Sequence, residues 1–179
     1  MQEKDPFVWM DLEMTGLDLE KESIIEIATI ITDSQLTFIA EGPNLVIHQK
    51  PKILKAMDDW NRTHHAKSGL TDLVKASKLT MKQAEKQTLD FLKQFCQPKK
   101  SLLCGNSVHH DRRFLAKYMP KIHEFLHYRP IDVSTIRSLV ERWYAKDRSA
   151  PRKKDAHRAL SDLRESIEEL RYLRQTYFR

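Results

Sequence analysis

Residues 23–33, SIIEIATIITD, constrain the fold more than any other stretch of the chain. Isoleucine and threonine dominate the run. β-Branched side chains lose rotamer freedom in a helix but pack well on a pleated surface. A strand that is apolar on nearly every residue has no face to give to water, so it belongs inside a sheet covered on both sides. FVWMDLE at 7–13 reads as a second strand. LTFIAEG and NLVIHQ, split by Gly42-Pro43, continue the β pattern. Short turns between these segments imply an antiparallel meander.

The period then changes. Met81, Ala84, Thr88, Phe91 or Leu92, and Phe95 recur at three and four, the signature of an amphipathic helix. SLLCGN is a short strand leading into the helix VHHDRRFLAKYM. RPIDVS is a last short strand before the helix TIRSLVERWY. AKDRSAPRKKDAH has no apolar period and reads as a basic loop. Leu160, Leu163, Ile167, Leu170 and Leu173 define a long closing helix that runs to Tyr177. With no repeat and no linker, residues 1–179 read as one α/β domain, strands early and helices late.

Composition narrows the function. Lys and Arg number 31 against 25 Asp and Glu, a net charge of +6 that favours a polyanionic partner such as nucleic acid. The longest apolar run, IATII at 27–31, is far short of the ~20 residues that span a bilayer. MQEKDP resembles neither a signal nor a transit peptide. Cys96 and Cys104 lack metal-ligand spacing and are too few for a disulfide framework, which fits free thiols in a reducing cytoplasm.

The tripeptide Asp-Leu-Glu occurs twice, at 11–13 and 18–20. Residues two apart on a strand share a face. Asp11 and Glu13 therefore project together from the end of a hydrophobic strand, beside the Thr15-Gly16 turn. Paired carboxylates on so rigid a base suit a hard divalent cation. Asp18 and Glu20 follow the turn in a polar stretch beside Lys21, and read as a solvated loop. Asp111 begins a helix that Asn106 or Ser107 can cap; an ordinary N-terminal acid paired with Arg112 or Arg113 fits that segment equally well. His157 and Asp162 are five residues apart, which on one straight helix puts them ~140° apart. They converge only if Asp162 is helical and His157 sits at the helix entrance.

D-x-E-x-T-G-L at a strand end, an Asp after G-N-S, and H-x-x-x-x-D near the C-terminus resemble the DEDDh class of 3′→5′ exonucleases. DLEMTGLD, IIEIAT, AEGP, MDDWN, FLKQ, CGNS, DRRFLAKYMP, HYR, DVST and RESIEEL are similar, in order, to the oligoribonuclease family. The resemblance runs nearly end to end. It implies a ribonuclease H-like fold, a mixed central β-sheet flanked by α-helices, acting as a homodimer on short RNA. It implies that Asp11, Glu13, Asp111 and Asp162 hold two Mg²⁺ or Mn²⁺ ions and that His157 is the general base. Leu17 and Trp60 would contact the bases. Ser107, His127, Tyr128 and Arg129 would cap the 5′ phosphate, with the HYR residues supplied by the partner subunit. From spacing alone, Trp60 reads as a core residue and HYR as surface cations. One departure stands out: His110 occupies a position where the family often has Gln, so a titrating side chain replaces an amide at a substrate contact. The resemblance gives Glu26 no catalytic role, and it reads as a paired structural carboxylate.

Overall fold

The computed structural model describes residues 5–144 and 158–178. The interior run forms β2 (Ile24–Thr32), and all nine of its residues are buried. It pairs antiparallel with β1 (Phe7–Met14) on one side. On the other side it pairs with β3 (Phe38–Glu41) and β4 (Leu45–Val46), which share its far edge across the Gly42-Pro43 break. The meander expected from the sequence is therefore present. β5 (Leu103–Gly105) runs parallel to β1, and β6 (Pro130–Asp132) runs parallel to β5. The sheet order is β3-β2-β1-β5-β6, so β1 is the middle strand.

Residues 51–76, too polar to show a helical period, form three short helices, α1 (Pro51–Ala56), α2 (Asp59–Lys67) and α3 (Leu70–Ala76). The expected amphipathic helix is α4 (Met81–Phe95), begun by a reciprocal Thr80–Gln83 capping box. α5 (His109–Tyr118), α6 (Pro120–Phe125), α7 (Val133–Trp143) and α8 (Ala159–Tyr177) complete the chain. The basic loop expected at 145–157 lies outside the described residues.

The two faces of the sheet are covered by different helices, and β1 shows which is which. Val8, Met10 and Leu12 point into a core shared with Ala84, Leu89 and Leu92 of α4, Phe114 and Leu115 of α5, and Ile122 of α6. Phe7 and Trp9 point the other way, against Val133 and Val140 of α7 and Leu163, Ile167 and Leu170 of α8. Strand alternation puts Asp11 and Glu13 on this second face, the one α8 covers. β1, β5 and β6 are parallel, so their C-terminal ends open at one edge of the sheet. Crevices at such strand ends are the usual ligand sites of open α/β sheets.

Candidate active site

Asp11 and Glu13 project from the C-terminal half of β1, and Asp162 faces them from the first turn of α8. Carboxylate oxygens of these three residues all lie within 4.8 Å of one another. The fourth predicted acid, Asp111, arrives from the first turn of α5 and is buried. Its Oδ1 accepts the backbone N–H of Leu12 at 2.9 Å, which ties it to β1 between Asp11 and Glu13.

This crowding has an electrostatic cost. Burial, followed by the charges of Asp162, Glu26 and Asp111, pushes the Glu13 carboxyl up to about 8, with Arg158 pulling the other way. Burial pushes Asp111 up to about 7, although its bond from Leu12 N–H opposes the rise. A carboxyl whose proton affinity is raised by burial and by neighbouring carboxylates belongs to a donor set short of positive charge. A hard divalent cation on carboxylate oxygens would supply it, so the residues present fit such an ion.

A cleft of about 440 Å³ opens beside Glu13, lined by Leu12, Met14, Gly16, Leu17, Asp58, Trp60 and Asn61. Leu17 and Trp60 are each 56% exposed, so Trp60 is not the core residue that spacing alone suggests. Asp58 starts α2 by accepting the N–H of Asn61 at 2.8 Å, which sets Trp60 in the first turn facing the cleft. Trp60 stacks on His64 with ring centroids 3.9 Å apart. Leu17 rides on a loop braced from below: Thr15 Oγ1 donates to the Glu22 carboxylate and accepts from Ser23 N, and Tyr118 Oη donates to Glu22 O. Gly16 leaves room there, because an added Cβ would sit 3.0 Å from the Glu22 side chain and push it aside by a few tenths of an ångström. The second Asp-Leu-Glu braces this loop: Asp18 pairs with Lys21, and Glu20 and the carbonyl of Leu19 meet Lys117 of α5.

Ser107 sits just beyond β5 with φ +50, a left-handed conformation that non-glycine residues rarely adopt. A network compensates. Its N–H donates to Asp132 Oδ1 and to Ser134 Oγ, both at 3.0 Å, and Ser134 Oγ donates to Asn106 Oδ1 at 2.9 Å. Asn106 in turn donates to Ser166 and Glu169 of α8. Neither Asn106 nor Ser107 caps α5 with its side chain, contrary to the sequence expectation. The N-cap is Val108, because those two side chains are committed to α7 and α8. His110 packs its ring 4.0 Å from that of His109, and burial lowers its pKa.

The HYR residues form an exposed knob ahead of β6. The rings of His127 and Tyr128 are 4.6 Å apart, and the Arg129 guanidinium lies 5.2 Å from the Tyr128 ring. Arg112 holds the His127 carbonyl at 2.9 Å. Tyr128 is 70% exposed. Glu26 is paired, as expected for a structural carboxylate, with Arg158. His157 lies outside the described residues.

Sequence reasoning missed His65. It is buried on α2, its Nε2 is 2.9 Å from Met14 O, and its Nδ1 is 3.9 Å from Glu13 Oε2. Its only signal in the sequence is the adjacent pair His64-His65, which carries no metal-ligand pattern. Asp132 and Ser134 stand within DVST, which the sequence marks only through the family resemblance and with no role for either residue.

Residues 8–170 match the exonuclease family RNase_T. The chain is 53% identical over 173 residues to the mitochondrial oligoribonuclease of Homo sapiens, covering 96% of this chain and 73% of that protein. It is 50% identical over 171 residues to the oligoribonuclease of Acinetobacter baylyi, covering 96% and 93%. Among solved structures, exonuclease I of Methylocaldum szegediense superposes with a TM-score of 0.66 at 16% identity, covering 97% of this chain. The chain spans 41% of the length of that exonuclease I, and the likeness is one of fold: a ribonuclease H-like mixed sheet flanked by helices.

Proposed function

The chain belongs to the oligoribonuclease family of 3′→5′ exoribonucleases, and we propose that it hydrolyses very short oligoribonucleotides, dinucleotides above all, to nucleoside 5′-monophosphates. The observation that carries this reading is one cleft in which Glu13, Leu17 and Trp60 share a wall. Its volume of about 440 Å³ falls in the range of small-ligand sites.

Asp11, Glu13 and Asp162, joined by Asp111, would hold two Mg²⁺ or Mn²⁺ ions. Bound there, such ions make a water nucleophilic near neutral pH and stabilise charge on the leaving oxygen. Leu17 and Trp60 orient the bases, because every base offers a face for apolar and aromatic contact. Ser107, backed by Asp132 and Ser134, presents its hydroxyl to the 5′ phosphate, and His110 meets the sugar or phosphate nearby. His157 accepts the proton of the attacking water, a role an imidazole suits near neutral pH.

The exposed knob of His127, Tyr128 and Arg129 supports a homodimer in which each subunit closes the other's cleft. That closure selects short substrates, since a longer chain has no exit. The 179 residues work as one exonuclease domain in the cytoplasm. No helix among the described residues is long and apolar enough to cross a membrane.

The test is a metal-dependent time course on a labelled dinucleotide and a longer RNA in parallel. Faster cleavage of the dinucleotide is expected; equal processing of both would replace the short-substrate reading with a general exonuclease. Mixed dimers of His157→Ala and Arg129→Ala subunits should regain one working site. No recovery after verified subunit exchange would remove the shared cap.

A further inference from the structure

Glu26 and Arg158 stand outside the acid cluster, yet they hold the helix end that delivers one of its members. Glu26 is fully buried on β2, directly opposite Glu13 in the strand register. Its Oε1 accepts from Arg158 Nη2 at 2.7 Å, and both its oxygens lie 3.2 Å from Arg158 Nε. Oε2 also accepts the backbone N–H of Ala159, the first residue of α8, at 3.3 Å. The N-cap of α8 is Arg158, whose own side chain makes no cap hydrogen bond to the helix. A helix N-terminus leaves N–H groups without partners and favours negative charge. Here a carboxylate from the neighbouring strand meets that need.

The tie lies one turn from the site. Arg158 O accepts the N–H of Asp162 at 3.0 Å, so the residue bonded to Glu26 through its side chain carries Asp162 through its backbone. The first turn needs such a tie. Ala159 and Leu163 pack the start of α8 into the core, as Ile167, Leu170 and Leu173 do further along, but that start also brings one carboxylate up against two others. Like charges at that distance push the turn off the sheet, and helix ends are where local opening is cheapest.

We propose that Glu26 and Arg158 are a positioning pair, anchoring the first turn of α8 to β2 so that Asp162 meets Asp11 and Glu13 in one cation site. The inference rests on the reading of those three acids as a cation site. Neither member touches the cation or the substrate. Their part is to set where Asp162 stands before an ion arrives.

The test is titration of the full chain with Mn²⁺ alone, followed by calorimetry, with thermal melting and dinucleotide hydrolysis measured beside it. Arg158→Gln should weaken Mn²⁺ binding by about 10–100-fold, the range found when groups that orient metal ligands are removed. Arg158→Lys, which keeps charge but not the fork, should recover part of the loss. Arg158→Gln strands a buried carboxylate, so the double variant Glu26→Leu/Arg158→Met serves as the foldable form and should show the same weakened binding. Arg164→Gln breaks a different tie from α8 to the sheet, the exposed pair with Glu41, and should leave Mn²⁺ affinity within about twofold. Wild-type Mn²⁺ affinity in the double variant, or an equal loss in Arg164→Gln, overturns the positioning role. A wild-type chain that binds no Mn²⁺ removes the cation site itself and the inference with it.

Discussion

Replacing Glu13 by glutamine should stabilise the metal-free protein at alkaline pH while abolishing its catalysis. Glu13 sits where burial, Asp162, Glu26 and Asp111 raise its carboxyl from an ordinary 4.5 to about 8. A carboxyl whose pKa is raised on folding binds more protons folded than unfolded across that window. Its stabilising protonation is complete below about 4.5 and is lost as pH climbs toward about 8. At ~1.4 kcal/mol for each tenfold change, the loss by pH 8 is on the order of 4 kcal/mol. Glutamine copies the protonated shape and never ionises, so it avoids that loss. The assay is urea unfolding in EDTA at several pH values from 5 to 8, for wild type and Glu13→Gln. The wild-type curve should fall with pH more steeply than the variant's, and the variant should be the more stable at pH 8. Adding Mn²⁺ should reverse the order, since binding to the folded state stabilises by mass action and the variant has lost a ligand. Parallel pH slopes in EDTA would refute the reasoning, because they would mean that Glu13 carries no folding-linked proton.

Asp11→Ala should lose both Mn²⁺ binding and turnover, whereas Asp18→Ala and Glu20→Ala should stay within about twofold of wild type in steady-state assays, as exposed substitutions usually do. Trp60→Ala should raise KM for a dinucleotide by about 5–150-fold, the equivalent of ~1–3 kcal/mol of base stacking, with Leu17→Ala acting in the same direction; an unchanged KM would remove Trp60 from the substrate cleft. Ser107→Gly should melt no lower than Ser107→Ala, because glycine accepts the left-handed φ at no steric cost, while both variants should bind a 5′-phosphorylated dinucleotide more weakly than wild type.

Much of this protein could be read from local chemistry. The β-branched run at 24–32 had to be an interior strand, and it is buried along its length. Alternation put Asp11 and Glu13 on one face, and the period-3.6 stripes of α4 and α8 show in the apolar positions alone. The polar helices α1, α2 and α3 show no such stripe, because their few apolar residues serve a small core around Ile25. The cap of α5 was misread for a related reason: a serine or asparagine before a helix caps it only if nothing distant claims the side chain. Ser134, Ser166 and Glu169 claim them here.

By itself the sequence determined which acids stand on the first strand, that Asp11 and Glu13 share a face, and the turn that separates this Asp-Leu-Glu from its second copy. These follow from period, propensity and composition, which act over a few residues. Only the tertiary structure decided that α8 covers the face bearing Asp11 and Glu13, that Leu17 and Trp60 share a wall with Glu13, and that His65 lies against it. It also decided that Glu26 is spent on Arg158 and the start of α8. Those facts depend on the packing of elements as distant in the chain as β1 and α8, and no local pattern encodes which buried carboxylate will face an arginine.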